Sequence, residues 1–204
     1  KYRNIKKPKL SPSNFEKLVS LPAFYIDRHE VIVRQYKQFD PKYNEKIFTK
    51  NKSCPNCPAM GINWDNANRY CSWVGKRLPT EIEWKIAARG SSGTYKWPWG
   101  NRFSPEYANI LGNADGFDGP APVSSLPPGT TIYGAVDMIG NVWEWVSDTT
   151  YLRKQDSTSP PSKILKGGSW RSKKKETTID FQNIVPSNLK NPTFGFRCMK
   201  PRIP

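Results

Sequence analysis

Apolar and polar positions alternate over Pro22-Ala-Phe-Tyr-Ile-Asp-Arg-His-Glu-Val31, which predicts a strand running into a short helix at 33–39. Between 61 and 90 the apolar spacing lengthens to the helical three-and-four. Ala67, Tyr70, Cys71 and Val74 fall on one face of a first helix that Asp65 or Asn66 can cap. Lys76-Arg-Leu-Pro79 breaks the pattern. Thr80-Glu-Ile-Glu83 reads as a capping box, in which the Thr hydroxyl and the Glu carboxylate satisfy each other's end amides. Trp84, Ala87 and Ala88 form the buried stripe of that second helix, and Gly90 closes it. From 91 to 148 the chain reads mostly as loop, with Trp97-Pro-Trp-Gly-Asn101 and Ala108-Asn-Ile110 as fixed points. Short strands are expected at 141–147, 164–170 and 193–199. The pattern is that of an α+β domain, rich in loops and poor in regular structure. Residues 1–20, basic and broken by Pro and Ser, read as a strap or linker, and 21–204 as one domain.

Composition sharpens this picture. Aromatics make up 13% of the 204 residues, and eight Trp provide bulky apolar surface for a core, while 19 Pro and 14 Gly keep much of the backbone irregular. No apolar run approaches the roughly 18 residues that span a bilayer. The opening KYRNIKKPKL lacks the apolar centre of a signal peptide, so the chain reads as a mature protein or an excised domain, with any lipid anchor outside it. The formal charge of +15 favours anionic partners, although dispersed lysines also serve solubility alone. Clusters occur at Lys6-Lys-Pro-Lys9 and Lys173-Lys-Lys175, without a zinc finger, RNA-binding signature or arginine-rich arm, so nucleic acid is not the expected partner. The single histidine, His29, cannot build a histidine metal cluster and reads as structural or surface.

Four cysteines leave three readings open. Cys54 and Cys57 form a Cys-x-x-Cys, but in a Pro- and Asn-rich loop rather than at the helix N-terminus that redox thiolates use. Zinc needs a second close pair, and Cys71 and Cys198 stand far apart. Structural disulfides are the favoured reading and imply an oxidising, extracytoplasmic compartment.

Two loops concentrate oxygen donors of the kind a hard cation takes. One runs from Asn109 through Asn113 and Asp115 to Phe117. The other is Asp137-Met-Ile-Gly-Asn-Val-Trp-Glu144, where Gly140 can turn carbonyls inward between two carboxylates. Spacing alone slightly favours a simpler reading, in which Asp137 and Glu144 cap turns and pair with Lys or Arg. Long irregular loops are commonly held by ions or bridges, which keeps a structural cation in view.

At these residues the chain resembles the formylglycine-generating enzyme (sulfatase-modifying factor) family, whose fold is a variant of the C-type lectin fold. The matching pieces include Ile62-Asn-Trp-Asp-Asn-Ala-Asn-Arg-Tyr-Cys-Ser-Trp73, Gly75-Lys-Arg-Leu-Pro-Thr-Glu-Ile-Glu-Trp84 and Trp97-Pro-Trp-Gly-Asn101. They continue with Asp115-Gly-Phe117, Gly140-Asn-Val-Trp-Glu-Trp-Val-Ser-Asp148, Gly167-Gly-Ser-Trp170 and Gly195-Phe-Arg-Cys198, in family order. The resemblance implies two calcium sites. The first comprises Asn109, the Ile110 carbonyl, Asp115 and the Phe117 carbonyl, in a loop that looks shorter than that of catalytic members. The second comprises Asp137, the Gly140 and Val142 carbonyls and Glu144, and is intact by residue type. The resemblance also pairs Cys71 with Cys198, a long closure worth roughly 4–5 kcal/mol in the chain-entropy model. Ala88 stands where a further family cysteine would be, which leaves Cys54 and Cys57 particular to this chain.

The resemblance fails at the active site. Catalytic members bind copper(I) through two cysteines after Gly-Gly-Ser; here those positions are Ser172 and Thr177. Hydroxyls do not replace thiolates toward a soft ion, so copper-dependent formylglycine-generating oxidase activity is not expected. The family groove beside Trp143, Ser169 and Trp170 is lined in this chain by Arg171, Lys173, Lys174 and Lys175. Ile32 and Val33 replace a usual Thr-Asn pair. The expectation is a divergent, non-catalytic module that binds an anionic protein, peptide or glycan, within an extracytoplasmic bacterial assembly for secretion, motility or surface display. The alternative is an enzyme or accessory domain of different chemistry, as in siderophore-maturation and sulfoxide-synthase relatives.

Overall fold

A computed structural model describes residues 21–90, 93–112, 114–150 and 161–202. The expected basic strap at 1–20 lies outside the described residues. Strand β1 (Phe24–Ile26) leads into helix α1 (Val33–Phe39), followed by α2 (Trp64–Trp73) and α3 (Glu81–Arg89). The remaining strands are β2 (Trp143–Thr150), β3 (Ser162–Lys166), β4 (Asn183–Pro186), β5 (Phe194–Gly195) and β6 (Met199–Pro201). They form a four-stranded sheet ordered β4-β3-β2-β5 and a separate pair, β1-β6. Among the described residues only the β2–β5 pairing is parallel.

The helices start where local chemistry directs. Thr80 and Glu83 form the expected capping box, with Thr80 Oγ1 accepting from Glu83 N and Glu83 Oε2 accepting from Thr80 N. Helix α2 corrects the expectation: its cap is Asn63, whose Oδ1 accepts from Asn66 N at 3.1 Å. Val74 follows the end of the helix and is exposed, so the buried stripe stops at Cys71. The first strand is also far shorter than the alternating run.

Strand β2 sorts its side chains by the two-residue period. Trp143 and Trp145 enter a cluster with Tyr36, Tyr70, Phe194 and Phe196, stapled by the buried Cys71–Cys198 disulfide. Val146 faces a second cluster built on Trp84, Trp97, Met138, Ile164 and Ile179. The strand expected at 164–170 ends at Lys166, because Gly167 and Gly168 turn the chain with φ of +89° and +81°. The strand expected at 193–199 splits into β5 and β6, which serve different sheets. Strand β4 was not anticipated. Cys54 and Cys57 pair with each other, and the carbonyls of Pro55 and Cys57 accept from Arg34 N and Val33 N at the start of α1.

Candidate functional site

The two oxygen-rich loops meet at Gly140. A Cβ there would lie 2.2 Å from the Asn109 carbonyl oxygen, so only glycine, here at φ +81°, lets the loops touch. The next residue, Asn141, donates its N–H to that same carbonyl at 2.7 Å.

In the first loop Asn109 is buried, and its Nδ2 donates to the Gly119 carbonyl (2.8 Å) and to Asn141 Oδ1 (3.3 Å). Asp115 Oδ1 accepts from Phe117 N at 3.1 Å. Asn109 Oδ1 and Asp115 Oδ2 are buried and have no partner among the described residues. Burial raises the Asp115 pKa, as expected for a carboxylate without compensating charge. Two orphaned oxygens are the donors a hard cation takes, and in protein interiors such atoms are otherwise paired.

The second loop is engaged internally. Glu144 is 1% exposed and receives Arg197 Nη2 at Oε1 and Arg197 Nε at Oε2, both at 2.7 Å; Trp84 Nε1 adds a bond to Oε2 at 2.8 Å. Arg197 directs its remaining donors to the carbonyls of Asp27, Arg28 and Val136. Burial opposes the Arg197 charge, but the Glu144 carboxylate together with Glu30 and Asp137 outweighs it and holds the guanidinium pKa above its ordinary value. Asp137 accepts from Ser124 N at 2.6 Å in a left-handed conformation (φ +56°). Among the described residues no group of three or more His, Cys, Asp or Glu is arranged to hold a metal, so any cation in either loop would depend on carbonyls and amides as well.

Sequence reasoning missed Glu30, Asn141 and Arg197. Glu30 is fully buried; Asn141 Nδ2 donates to its Oε1 at 3.1 Å, and its Oε2 has no partner among the described residues. Burial first, and the neighbouring Asp137 charge second, push its pKa well above the carboxylate range. The available signal was a lone carboxylate directly before the apolar run Val31-Ile-Val33. His29 points Nδ1 at the Glu30 carbonyl, a local structural contact.

The positions of the absent cysteines do come together. Ser172 and Thr177 flank Gly168, where a Cβ would lie 3.4 Å from Ser172 Cβ and 2.7 Å from Thr177 Cγ2. Both are buried. Ser172 Oγ accepts from Ser169 N at 3.0 Å, and Thr177 Oγ1 donates to the Lys174 carbonyl at 2.9 Å. All four cysteines are in disulfides. This pocket therefore offers neither a free thiol nor an uncommitted hydroxyl.

Of the expected groove, Trp143 and Ser169 prove to be buried, with the Trp143 ring 6.0 Å from that of Phe181 at a tilt of 40°, so neither lines open surface. Trp170 is half-buried; Arg171, Lys173, Lys174 and Lys175 are exposed. The Arg171 guanidinium lies 4.2 Å from the Trp170 ring centre. Lys174 Nζ sits 4.9 Å from the Phe103 ring and 5.7 Å from Trp97. Beside these lysines opens a cavity of about 320 Å³, walled by Phe103, Pro105, Ile110 and Leu111.

A family model described as a sulfatase-modifying factor enzyme 1-like domain matches residues 6–202. The formylglycine-generating enzyme of Mus musculus is 37% identical over 173 residues, covering 73% of this chain and 45% of its own. The mouse inactive C-alpha-formylglycine-generating enzyme 2 is 37% identical over 156 residues, covering 69% and 48%. The serine/threonine-protein kinase Pkn1 of Chlamydia trachomatis is 30% identical over 214 residues, covering 89% and 34%. The chain thus spans half or less of the length of these curated relatives. Among solved structures, Treponema denticola variable protein 1 superposes with a TM-score of 0.72 at 19% identity, covering 88% of this chain and 84% of its own. The Major Tropism Determinant U1 variant reaches 0.55 at 18% identity, covering 87% and 50%. Two disulfides, the Gly140 junction of the oxygen-rich loops and a match over nearly the whole length converge: the chain belongs to the sulfatase-modifying factor (formylglycine-generating enzyme-like) family and folds as its variant of the C-type lectin fold.

Proposed function

We propose that this chain is a non-catalytic binding module of its family that takes an extended anionic partner, an acidic peptide or glycan, on the face formed by residues 170–175. One observation carries the reading. The loop that holds copper-binding thiols in catalytic members here holds Ser172 and Thr177, with both hydroxyls engaged internally, and projects Arg171, Lys173, Lys174 and Lys175 into solvent. A cationic surface with aromatic backing attracts and orients anions. The relative named as inactive supports non-catalytic use of the fold. Calcium is the structural ion of this reading, held by Asn109, Asp115 and the Ile110 and Phe117 carbonyls; the second expected set, Asp137, Glu144 and the Gly140 and Val142 carbonyls, does not fit a cation, because Arg197 already balances Glu144. Two disulfides fit folding in an oxidising compartment, and an extracytoplasmic bacterial assembly is the setting we assign.

The test compares wild type with a K173E/K174E/K175E variant for binding to polyglutamate and to a sulfated oligosaccharide at low salt. Reversing three exposed charges should weaken binding at least about tenfold, roughly 1.4 kcal/mol, without moving the melting temperature. Unchanged binding, or stoichiometric copper in the purified protein, overturns the reading.

A further inference from the structure

The cavity beside the basic loop is not built for a purely polar ligand. Its walls are Phe103, Pro105, Ile110 and Leu111, and its charged lining is limited to Lys173, Lys174 and Asp115. Leu111 is 56% exposed and, with the other wall residues, presents apolar surface directly beside the charged strip. The wall is also fixed in place: Leu111 N donates to the Ser172 carbonyl at 3.0 Å, tying the 109–112 loop to the basic loop. Lys174 is held across the Phe103 and Trp97 rings, so its ammonium is positioned at the cavity mouth before any ligand arrives.

From this geometry we infer that the partner is an acidic peptide in which carboxylates alternate with bulky apolar side chains, and that one apolar side chain seats in the 320 Å³ cavity while its neighbouring carboxylate meets Lys173 and Lys174. An acidic glycan meets the lysines equally well, but it offers only the flat C–H faces of its rings and no bulky apolar side chain to fill the cavity behind the Phe103–Leu111 wall. Its many hydroxyls would also find few hydrogen-bonding partners there. Apolar anchors seated in pockets, rimmed by charge, carry most of the energy of such interfaces. This inference rests on the basic face being the binding face, and it fixes the class of partner.

The experiment titrates three probes of matched charge by calorimetry: a peptide alternating Glu and Leu, polyglutamate, and a sulfated heparin-type oligosaccharide. The alternating peptide should bind about tenfold tighter than either other probe. Leu111→Ser, at an exposed position that leaves the core intact, should remove most of that preference without changing polyglutamate binding. Equal or tighter binding of polyglutamate or the oligosaccharide overturns the peptide inference and leaves the basic-face reading standing. A preference that survives Leu111→Ser also overturns it. If none of the three probes binds, the basic-face reading itself fails, which separates the two.

Discussion

The two oxygen-rich loops draw on the same residue types and touch back to back at Gly140, yet their carboxylates have opposite fates. Glu144 is clamped by the Nε–Nη2 edge of the Arg197 guanidinium and by Trp84, all inside the protein. Asp115 and Asn109 keep one oxygen each without any partner among the described residues. Residue type alone made the second loop look the more complete cation site and the first the poorer one. What distinguishes them is the commitment of lone pairs, and that depends on a guanidinium brought from a distant strand end. A charge balanced by a fixed cation needs nothing from solvent. A loop with orphaned oxygens lacks that balance, and on the calcium reading the ion supplies it.

The largest effect should come from breaking the balanced side. Arg197→Ala leaves Glu144 buried without its counter-charge, and loss of one partner of a buried pair costs about 3–5 kcal/mol. Urea denaturation should show that loss, or a chain too unstable to purify. Arg197→Lys should recover part of it, since charge returns but the bidentate geometry does not. A variant as stable as wild type would mean that the pair does not hold the second loop.

The open side should respond to ions instead. On the calcium reading, saturating the wild type raises stability by about 2.7 kcal/mol at a hundredfold excess over Kd. Asp115→Asn should lose much of that gain while changing the calcium-free protein little, because it removes a carboxylate that burial already disfavours. Differential scanning calorimetry with calcium or chelator checks both. If Asp115→Asn keeps the full gain, the ion is not in the first loop.

Much of the fold was legible from local signals. The Thr80–Glu83 box and the Trp84, Ala87, Ala88 stripe mark α3 because capping and periodicity act within one or two turns. Strands β5 and β6 were not legible as separate strands: Phe194–Gly195 joins β2 while Met199–Pro201 joins β1, a choice made by partners far away in sequence. The site divides the same way. The positions of Ser172 and Thr177 followed from the motif after Gly-Gly-Ser. The Glu144–Arg197 pair did not, since nothing near either residue announces the other.

Lys166 offers the finest probe of the balanced loop. It stands opposite Glu144 on the β2–β3 ladder, so the closed side is bounded by a second buried cation. Its ammonium turns to Glu81 at 3.2 Å rather than to Glu144, and burial lowers its pKa to about 8 although Glu81 partly offsets the shift. An unfolded lysine titrates near 10.4. Between these values the unfolded chain binds more protons than the folded one, so this group's contribution to stability is present above the unfolded pKa and is lost as pH falls through about 8. Stability should therefore rise from pH 8 toward pH 10 in wild type. Tyr36 and Tyr70, which burial pushes up to about 12, work against this rise near pH 10, where unfolded tyrosines begin to ionise, so the Lys166 effect is read as a difference from a variant that keeps both tyrosines. Lys166→Met removes the titrating group, and Glu81 keeps Lys85 at 2.8 Å as its partner. Urea midpoints for the two proteins at pH 7, 8, 9 and 10 should converge with increasing pH, the wild type gaining relative to the variant. Parallel curves would place the Lys166 proton outside this window and leave Arg197 as the cation that sets the electrostatics of the second loop.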